Sequence, residues 1–294
     1  MKADAKVKII VSAIQRFCMH DGPGVRTTVF LKGCSLRCQW CHNPETQNAS
    51  PELLYYAKKC IACQACLVCE NGAHSFEKDH HHIEISKCKA CLKCANTCPS
   101  SALQISGRAM TVEEICSEAE KDLAFYGKEG GITLSGGEPL FQPAAIDLLS
   151  YCKEKGLNTA VDTCGYFPED MLAPAVASTD LFLWDIKDTD DARHKQFTGV
   201  SNKTILENLK KADELGAKIK LRFILVNGVN SNEIHYEKCA ELCRSIHNGV
   251  KPEVIPYHAF GGVKSEFLLK SGNGRSEWIP TEDQIATFRE YLGI

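Results

Sequence analysis

The sequence lacks the features that mark several common classes of protein. Its 34 Lys and Arg residues are balanced by 37 Asp and Glu residues, which gives a net charge of −3, so no basic field favours nucleic acid or an anionic membrane. No apolar run approaches the ~18 residues of a membrane span, and the N-terminal residues lack the apolar core and cleavage site of a signal peptide. These absences predict a soluble, cytoplasmic protein that binds neither nucleic acid nor membrane.

Cysteine, by contrast, is abundant. The chain contains 17 cysteines, of which 11 lie between Cys34 and Cys98. A disulfide scaffold would suit a small secreted chain with an even number of cysteines, whereas this chain has 294 residues and an odd number. Metal ligation in a reducing compartment therefore explains the cysteines better than disulfide bonding.

The hydrophobic pattern predicts an α/β fold. Arg26–Leu31 is a β-branched run typical of a strand, and Thr111 with Glu114 and Thr281 with Gln284 are capping boxes that begin helices. Further strands are predicted near residues 132–134, 158–162, 181–186, 219–226 and 252–255, with helices near 111–125, 143–155, 201–215, 231–246 and 281–291. This alternation predicts a parallel sheet with right-handed crossovers. Its six strands are fewer than the eight of a complete barrel.

The segment from about residue 52 to 104 differs in composition. It has many small residues and no amphipathic helix of useful length, so it must be held together by something other than an apolar core, most simply a metal. Its eight cysteines form two runs, Cys60-x2-Cys63-x2-Cys66-x2-Cys69 and Cys88-x2-Cys91-x2-Cys94-x3-Cys98-Pro99.

The second run has the spacing of bacterial ferredoxins, in which the fourth cysteine ligates the other cluster. This spacing predicts one cluster on Cys60, Cys63, Cys66 and Cys98 and another on Cys88, Cys91, Cys94 and Cys69. The first run lacks one residue before Cys69, and no proline follows it. Two zinc ribbons are the alternative. Asp79-His80-His81-His82, between the runs, is interpreted as a solvated turn and not as a further metal site.

Three more cysteines, Cys34-x3-Cys38-x2-Cys41, follow the first predicted strand directly. Active sites of α/β barrels lie at the carboxyl ends of their strands. Three thiolates suit three corners of a cubane cluster and leave one iron open to a substrate. A closed zinc site would need a fourth ligand, and His42 is badly placed because it adjoins Cys41.

The surrounding residues resemble a known family. CxxxCxΦC with Trp40 as the aromatic residue resembles the signature of the radical S-adenosylmethionine (SAM) superfamily. The stretches His20-Asp21-Gly22-Pro23-Gly24-Val25-Arg26-Thr27 and Trp40-Cys41-His42-Asn43-Pro44-Glu45 resemble the glycyl radical enzyme activating enzymes, the family of pyruvate formate-lyase activating enzyme. The resemblance runs from about Ile14 to the C-terminus, and subclasses of the family carry a ferredoxin-like insert.

The resemblance implies a site for SAM. Ser135-Gly136-Gly137-Glu138-Pro139 is similar to the family's GGE motif, whose backbone and Glu138 would hold the SAM ammonium group. By resemblance, Asp162, Thr163 and Asp185 contribute to a monovalent-cation site, and Lys187 neutralises the SAM carboxylate. Arg222 and His258 match further SAM-contacting positions. The family usually has Asn at the position of Cys164, which is therefore interpreted as a packing variant.

The resemblance also implies a role for Asp21 in holding the glycine loop of a partner enzyme. The alternative is that Asp21 caps its own turn through an Asx hydrogen bond. Because this segment precedes the first strand, the chain order alone puts Asp21 at the N-terminal end of the barrel, away from the mouth.

Together these features predict a partial (β/α)6 barrel of residues 1–51 and 105–294 with an inserted ferredoxin-like domain of residues 52–104. The resemblance implies three [4Fe–4S] clusters, reductive cleavage of SAM to methionine and a 5′-deoxyadenosyl radical, and abstraction of a glycine Hα from a partner glycyl radical enzyme. Reduced flavodoxin or ferredoxin would supply electrons. A dehydratase, decarboxylase or lyase is the expected partner. The rival interpretations are a radical SAM enzyme acting on a small molecule and a non-catalytic electron carrier.

Overall fold

A computed structural model describes residues 3–270 and 274–294. Twelve strands occur in the described residues. They are β1 Lys8–Cys18, β2 Arg26–Leu31, β3 Glu52–Tyr55, β4 His74–Glu77, β5 His80–Ile83, β6 Leu103–Ser106, β7 Arg108–Thr111, β8 Gly131–Gly136, β9 Asn158–Thr163, β10 Leu181–Ile186, β11 Ile219–Leu225 and β12 Gly249–Pro256.

One sheet of eight strands forms the body of the molecule, in the order β12-β11-β10-β9-β8-β2-β1-β7. Six strands of this sheet run parallel to one another, namely β2, β8, β9, β10, β11 and β12. This confirms the predicted partial barrel. Two antiparallel strands, β1 and β7, extend the sheet beyond β2. They were not predicted, because β7 has only four residues and β1 is mostly polar or half-buried along its second half.

The described residues contain ten α-helices, several of which connect successive parallel strands. They are α1 Lys93–Thr97, α2 Val112–Glu120, α3 Leu123–Tyr126, α4 Ala145–Glu154, α5 Leu172–Ser178, α6 Asp191–Thr198, α7 Lys203–Glu214, α8 Glu233–Ser245, α9 Phe260–Phe267 and α10 Glu282–Leu292. Both capping boxes, at Thr111 and Thr281, are confirmed. In the described residues no helix is long and apolar enough to cross a bilayer.

The predicted helix 111–125 is wrong in length, because it ends at Glu120 and a separate short turn follows. The interruption lies at Asp122, whose buried carboxylate accepts hydrogen bonds from Thr27 (2.7 Å) and Arg16. These hydrogen bonds attach Asp122, where the helix is interrupted, to strands β1 and β2 of the sheet. The short helices α5, α6 and α9 were also not predicted.

The main apolar core lies between the sheet and the helices that cover it. Fully buried side chains such as Val29, Ile132, Phe182 and Phe223 contribute the sheet side, and Leu148 of α4 contributes the helix side. Burying one such side chain stabilises the fold by roughly 1.5–3 kcal/mol. The core therefore holds the carboxyl ends of the parallel strands in a fixed arrangement around one opening.

The insert joins the barrel through a two-stranded antiparallel pair. Residues Glu52 to Tyr55 of β3 pair with Ser106 to Leu103 of β6, which brings the two ends of the insert together. A second pair, the β4–β5 hairpin, and the five-residue helix α1 complete it. Its small core contains two cysteines, Cys66 and Cys94, beside Leu53 and Leu103.

Candidate active site

The three-cysteine loop leaves the end of β2 and is held by backbone hydrogen bonds from both sides. The N–H of Cys34 donates to the carbonyl of Gln47 (3.0 Å), and the N–H of Arg37 donates to the carbonyl of Thr198 at the end of α6 (2.7 Å). Cys34, Cys38 and Cys41 all line one cavity of about 820 Å³. The fold therefore aims three sulfur atoms into one space, as the spacing predicted.

The thiols of this loop differ in their electrostatic surroundings. Burial raises the pKa of Cys38 strongly and that of Cys41 to about 11. A hydrogen bond with the Cys164 thiol lowers the pKa of Cys34. Metal binding requires thiolates and releases their protons, so these cysteines fit a cluster that supplies compensating positive charge.

Trp40 supports the loop and also faces the cavity. Its buried ring packs against Phe197 (centroid distance 5.6 Å) and edge-on against Trp278 (6.1 Å). Its Nε1 is buried without a hydrogen-bond partner. The indole therefore holds the loop by packing, and part of it lines the cavity.

The glycine pair at the end of β8 allows close approach between two loops. Gly136 has φ +111°, and a Cβ there would lie 2.4 Å from the carbonyl oxygen of Leu31. A Cβ on Gly137 would lie 2.2 Å from the carbonyl oxygen of Gly33. Only glycine fits at these two positions, so their backbone forms part of the cavity wall.

Glu138 does not line the cavity. Its fully buried carboxylate accepts hydrogen bonds from the Thr163 hydroxyl (2.9 and 2.8 Å), the Cys164 N–H (2.9 Å) and the Leu140 N–H (3.1 Å). Burial raises the pKa of Glu138 to about 7. The carboxylate therefore braces the turn against the end of β9, and Thr163 faces it instead of the cavity.

Four charged side chains converge at the ends of β9, β10 and β11. Arg222 donates from Nε to Asp185 (2.7 Å) and from Nη2 to Asp162, while Lys187 donates to Asp185 (2.7 Å). Ser135 donates to Asp162 (2.7 Å). Burial opposes the charge of Lys187, but the carboxylate of Asp185 outweighs it and raises the lysine pKa. Two cations thus balance two carboxylates in the wall of the cavity.

Burial raises the pKa of Asp162 to about 6 against the opposing effect of Arg222. Asp162 is therefore the carboxylate of this group that gains most from another positive charge nearby. Asp185, paired with both cations, keeps a lowered pKa although burial opposes it.

Asp21 reaches the same cavity, although its place before the first strand suggested the opposite end of the barrel. Its carboxylate accepts from the Thr28 hydroxyl (2.7 Å), and its carbonyl accepts from the Thr133 hydroxyl (2.7 Å). These two hydrogen bonds attach the segment around Asp21 to β2 and β8, beside the cavity. His258 also lines the cavity, edge-on to His42 with ring centroids 4.4 Å apart.

The cavity therefore gathers most of the residues that the sequence singled out around the three cysteines. The cavity-lining members of the predicted site are Asp21, Cys34, Cys38, Trp40, Cys41, Gly136, Gly137, Asp162, Asp185, Lys187, Arg222 and His258. Glu138 and Thr163 stand behind its wall. Cys164, interpreted from the sequence as a packing variant, also lines the cavity, and its thiol contacts that of Cys34. The only sequence signal for this position is the glycine that follows it.

A first group of insert cysteines surrounds a small separate cavity. Its lining includes Cys60, Cys63, Cys66 and Cys98, hereafter site A. This grouping agrees with the crossed assignment, since Cys98 comes from the second run.

The other four cysteines, Cys69, Cys88, Cys91 and Cys94, are hereafter site B. Burial raises the pKa of Cys94, and the neighbouring Cys88, Cys69 and Cys91 raise it further, which brings Cys69 close to the second run. Cys69 and Cys98 also share an extended backbone, with φ −68° and −78°.

Both runs have the same unusual backbone. Ala62 and Gln64 of the first run have φ 50° and 61°, and the corresponding Ala90 and Leu92 of the second have φ 47° and 69°. Alternation of right- and left-handed residues turns successive N–H groups toward one point, an arrangement common at iron–sulfur sites. The repeated backbone and the four-thiol donor sets fit two fully ligated clusters.

The interpretation of Asp79–His82 as a solvated turn is wrong. Strand β5 begins at His80, and His81 points inward to site A, where its Nε2 lies 3.5 Å from Cys66 Sγ and its Nδ1 lies 3.7 Å from Cys60 Sγ. No sequence pattern indicated this contact, because the strand that pairs with β5 and orients it lies in a polar segment.

Comparison with known proteins agrees with the geometry. Residues 28–236 match the family model of the radical SAM superfamily. The isethionate sulfite-lyase activating enzyme of Nitratidesulfovibrio vulgaris is 42% identical over 277 residues, covering 90% of this chain and 89% of that protein. The choline trimethylamine-lyase activating enzyme of Oleidesulfovibrio alaskensis is 42% identical over 270 residues, covering 89% and 87%. The trans-4-hydroxy-L-proline dehydratase activating enzyme of Clostridioides difficile is 38% identical, covering 94% and 93%.

A partial barrel whose first parallel strand leads into three cysteines at a common cavity defines a radical SAM enzyme, which binds a [4Fe–4S] cluster and SAM. Within that superfamily, the similarity extends along nearly the whole chain to one kind of enzyme. The chain belongs to the glycyl radical enzyme activating enzymes, and its partner is a glycyl radical enzyme.

Proposed function

We propose that Cys34, Cys38 and Cys41 hold the [4Fe–4S] cluster that supplies one electron to bound SAM. The electron breaks a C–S bond of the sulfonium and gives methionine and a 5′-deoxyadenosyl radical. The radical takes the Hα of one glycine of the partner, leaving 5′-deoxyadenosine and a glycyl radical. The observation that carries this proposal is the convergence of three cysteines, a glycine turn and balanced charges on one cavity.

The cavity wall suggests how this chain would hold SAM. The backbone of Gly136 and Gly137 is bare of side chains and suits the ammonium group, while Glu138 keeps that backbone in place from behind. Lys187 suits the carboxylate, and Arg222, His258 and Trp40 supply further donors or surfaces. Opposite charges at fixed positions favour a zwitterionic ligand over a neutral one.

A monovalent cation would complete the site beside SAM. Asp162 and Asp185 present carboxylate oxygens, which hard cations prefer, and Thr163 adjoins Asp162 in the chain. The raised pKa of Asp162 supports this assignment, because an added cation would favour the ionised carboxylate.

Asp21 is proposed to hold the partner's glycine loop. Its side chain lines the cavity while its Thr28 and Thr133 contacts keep the segment rigid. The Asx alternative has less support, since the hydrogen bond of the Asp21 carboxylate is to Thr28 on the neighbouring strand and not to its own turn.

The insert is proposed to carry two [4Fe–4S] clusters, on sites A and B, for a total of three per chain. All four thiols of each site are available, so neither cluster has an iron free for substrate. Their role would be to pass electrons from reduced flavodoxin or ferredoxin toward the catalytic cluster. We place the boundaries of this domain at residues 52–104 and those of the barrel at 1–51 and 105–294.

The partner is proposed to be a dehydratase, decarboxylase or lyase of the glycyl radical class. The relatives named above activate two lyases and a dehydratase, as their names state. The test is capture of the partner from anaerobic cells, followed by electron paramagnetic resonance (EPR) of the purified partner incubated with the reconstituted chain, SAM and dithionite. A glycyl radical signal is expected.

The control omits SAM and should give no signal. Formation of 5′-deoxyadenosine without a radical on any captured enzyme would contradict the proposal and favour a small-molecule substrate.

A further inference from the structure

The β4–β5 hairpin has two faces of different character. Residues Phe76 and His81 are directly opposed across the hairpin, as are His74 and Ile83. His74 is buried and the other three are half-buried, whereas the intervening His80 and His82 are exposed. Since side chains alternate along a strand, the hairpin turns one histidine of each strand toward site A and leaves two outside.

The ring of His81 is fixed on several sides. It stacks on Phe76 with centroids 4.5 Å apart and planes at 5°, and Tyr55 packs edge-on at 5.0 Å. His81 Nε2 lies 2.9 Å from His74 Nδ1, and His81 Nδ1 lies 3.7 Å from Cys60 Sγ. A ring held in this way has one defined direction for each nitrogen.

The hydrogen-bonding capacity of these groups limits where the protons can lie. A thiolate that ligates iron can only accept a hydrogen bond, so an unprotonated nitrogen facing it would place lone pair against lone pair. His81 Nε2 can accept from Nδ1–H of His74 (2.9 Å), which places the His81 proton on Nδ1, toward Cys60 (3.7 Å). A proton on Nε2 would instead point toward Cys66 (3.5 Å), another thiol of site A. In the first arrangement the remaining nitrogen, His74 Nε2, is the unprotonated one, and it is buried without a partner.

Sites A and B are not equivalent in this respect. They share the left-handed backbone positions and four thiols each, and at site B the backbone N–H of Ala90 donates to Cys88 Sγ (3.4 Å). Within residues 3–270 and 274–294, histidine contacts with insert thiols occur only at Cys60 and Cys66 of site A. Hydrogen bonds to sulfur stabilise the more negative, reduced cluster and raise its potential.

We propose that His81, oriented by His74, donates a hydrogen bond to a thiolate of site A, Cys60 or Cys66, and so raises the reduction potential of the cluster at site A. The inference rests on the proposed function, because it requires a cluster at site A. His81 is a positioning and tuning residue and does not ligate iron.

The test is an EPR-monitored redox titration of the full chain carrying C34A, C38A and C41A, so that only the insert clusters contribute. His81→Phe keeps the stacked ring but removes the donor. We expect one of the two couples to shift to a more negative potential, with its reduction equilibrium falling about tenfold, which corresponds to about 59 mV for one electron. His81→Gln, which keeps an N–H donor, should restore part of the shift.

The matched control is His82→Phe, the same change on the exposed face of the hairpin, which should move neither couple. Two unchanged couples in His81→Phe at full iron content would overturn the inference, and so would loss of iron in both His81 variants, which would make the residue necessary for binding the cluster. Failure of the proposed function is separate, because fewer than two clusters in the parent chain would show in its iron and sulfide content before any His81 variant is made.

Discussion

At the scale of single residues, the site combines two kinds of group. Three cysteine thiolates would leave one iron of a cubane cluster without a protein ligand, and backbone and charged groups beside them can bind a small ligand. The three cysteines supply only three thiolates to one cavity, and the glycine turn brings bare backbone beside them. The charged group of Asp162, Asp185, Lys187 and Arg222 is internally balanced. The chemistry therefore depends on a few side chains whose individual removal is testable.

Replacing any one of Cys34, Cys38 or Cys41 by Ala should abolish formation of 5′-deoxyadenosine with dithionite as reductant, because two thiolates hold a cubane cluster poorly. Product formation is measured by chromatography. The matched control is Cys243→Ala, which removes a half-buried thiol of α8 outside the cavity and should retain activity. Cleavage at the wild-type rate in any of the first three variants would show that the ligand set is wrong.

Asp21→Asn should lower the yield of glycyl radical on the partner at least several-fold at limiting partner concentration, since the charge that faces the loop is lost. The affinity for SAM and the cleavage of SAM in the absence of the partner should stay nearly unchanged. EPR gives the radical yield. Asp170→Asn, an exposed carboxylate elsewhere, is the matched control.

A parallel loss of cluster content, SAM binding and radical yield in Asp21→Asn would instead indicate a structural role through Thr28. Full radical yield would refute the docking role.

At the scale of elements, several connections depend on one polar side chain that bridges segments. Asp213, in the last turn of α7, accepts hydrogen bonds from the backbone and side chain of His247 and Asn248, which precede β12. Burial alone would raise the pKa of Asp213, but these bonds lower it to about 2. The carboxylate therefore anchors the last parallel strand.

Asp213→Asn should destabilise the protein by about 2 kcal/mol at pH 7, the value that follows from a pKa lowered by nearly two units. Because the folded pKa lies below the unfolded value near 4, this contribution is present above pH ~4 and is lost as the pH falls toward 2. Anaerobic urea unfolding at a series of pH values measures it. Glu207→Gln, an exposed change on the same helix, should have little effect, and a difference that persisted at pH 2 would contradict the assignment.

The insert is an element of its own, with a core too small to hold it without metal. Cys63→Ala or Cys88→Ala should slow turnover with flavodoxin or ferredoxin but spare a single turnover with a strong chemical reductant, because the clusters proposed at sites A and B would pass electrons without binding SAM. Both reductants are tested on the same preparation of each variant, so that the activity with the chemical reductant is the control for the activity with flavodoxin or ferredoxin. Equal losses with both reductants, in a variant that keeps its catalytic cluster, would contradict a relay.

At the scale of the whole molecule, one sheet presents the catalytic cavity and the β3–β6 pair attaches the insert beside it. Under the crossed assignment proposed above, each insert run would contribute its fourth cysteine to the other run's site, so the two sites would depend on one another. The molecule should consequently load both insert clusters or neither.

Anaerobic reconstitution of the intact chain should give about 12 irons, as expected for three cubane clusters. Iron and sulfide analysis checks the number, and Cys98→Ala should lower it by more than four because both insert sites lose support. Zinc in the insert with about four irons per chain would overturn the assignment of sites A and B.

The sequence alone was sufficient for the periodic and local features. Six parallel strands follow from the alternation of strand and helix patterns along the chain, and the cluster-binding interpretation of the Cys34–Cys41 loop follows from three cysteines at close spacing after a strand. Tertiary structure alone decided the contacts between distant segments: Asp21 at the mouth, Cys164 against Cys34, Arg222 on Asp162, and His81 against Cys60. Such contacts depend on which way a packed strand turns each side chain, and a one-residue change of register reverses every direction.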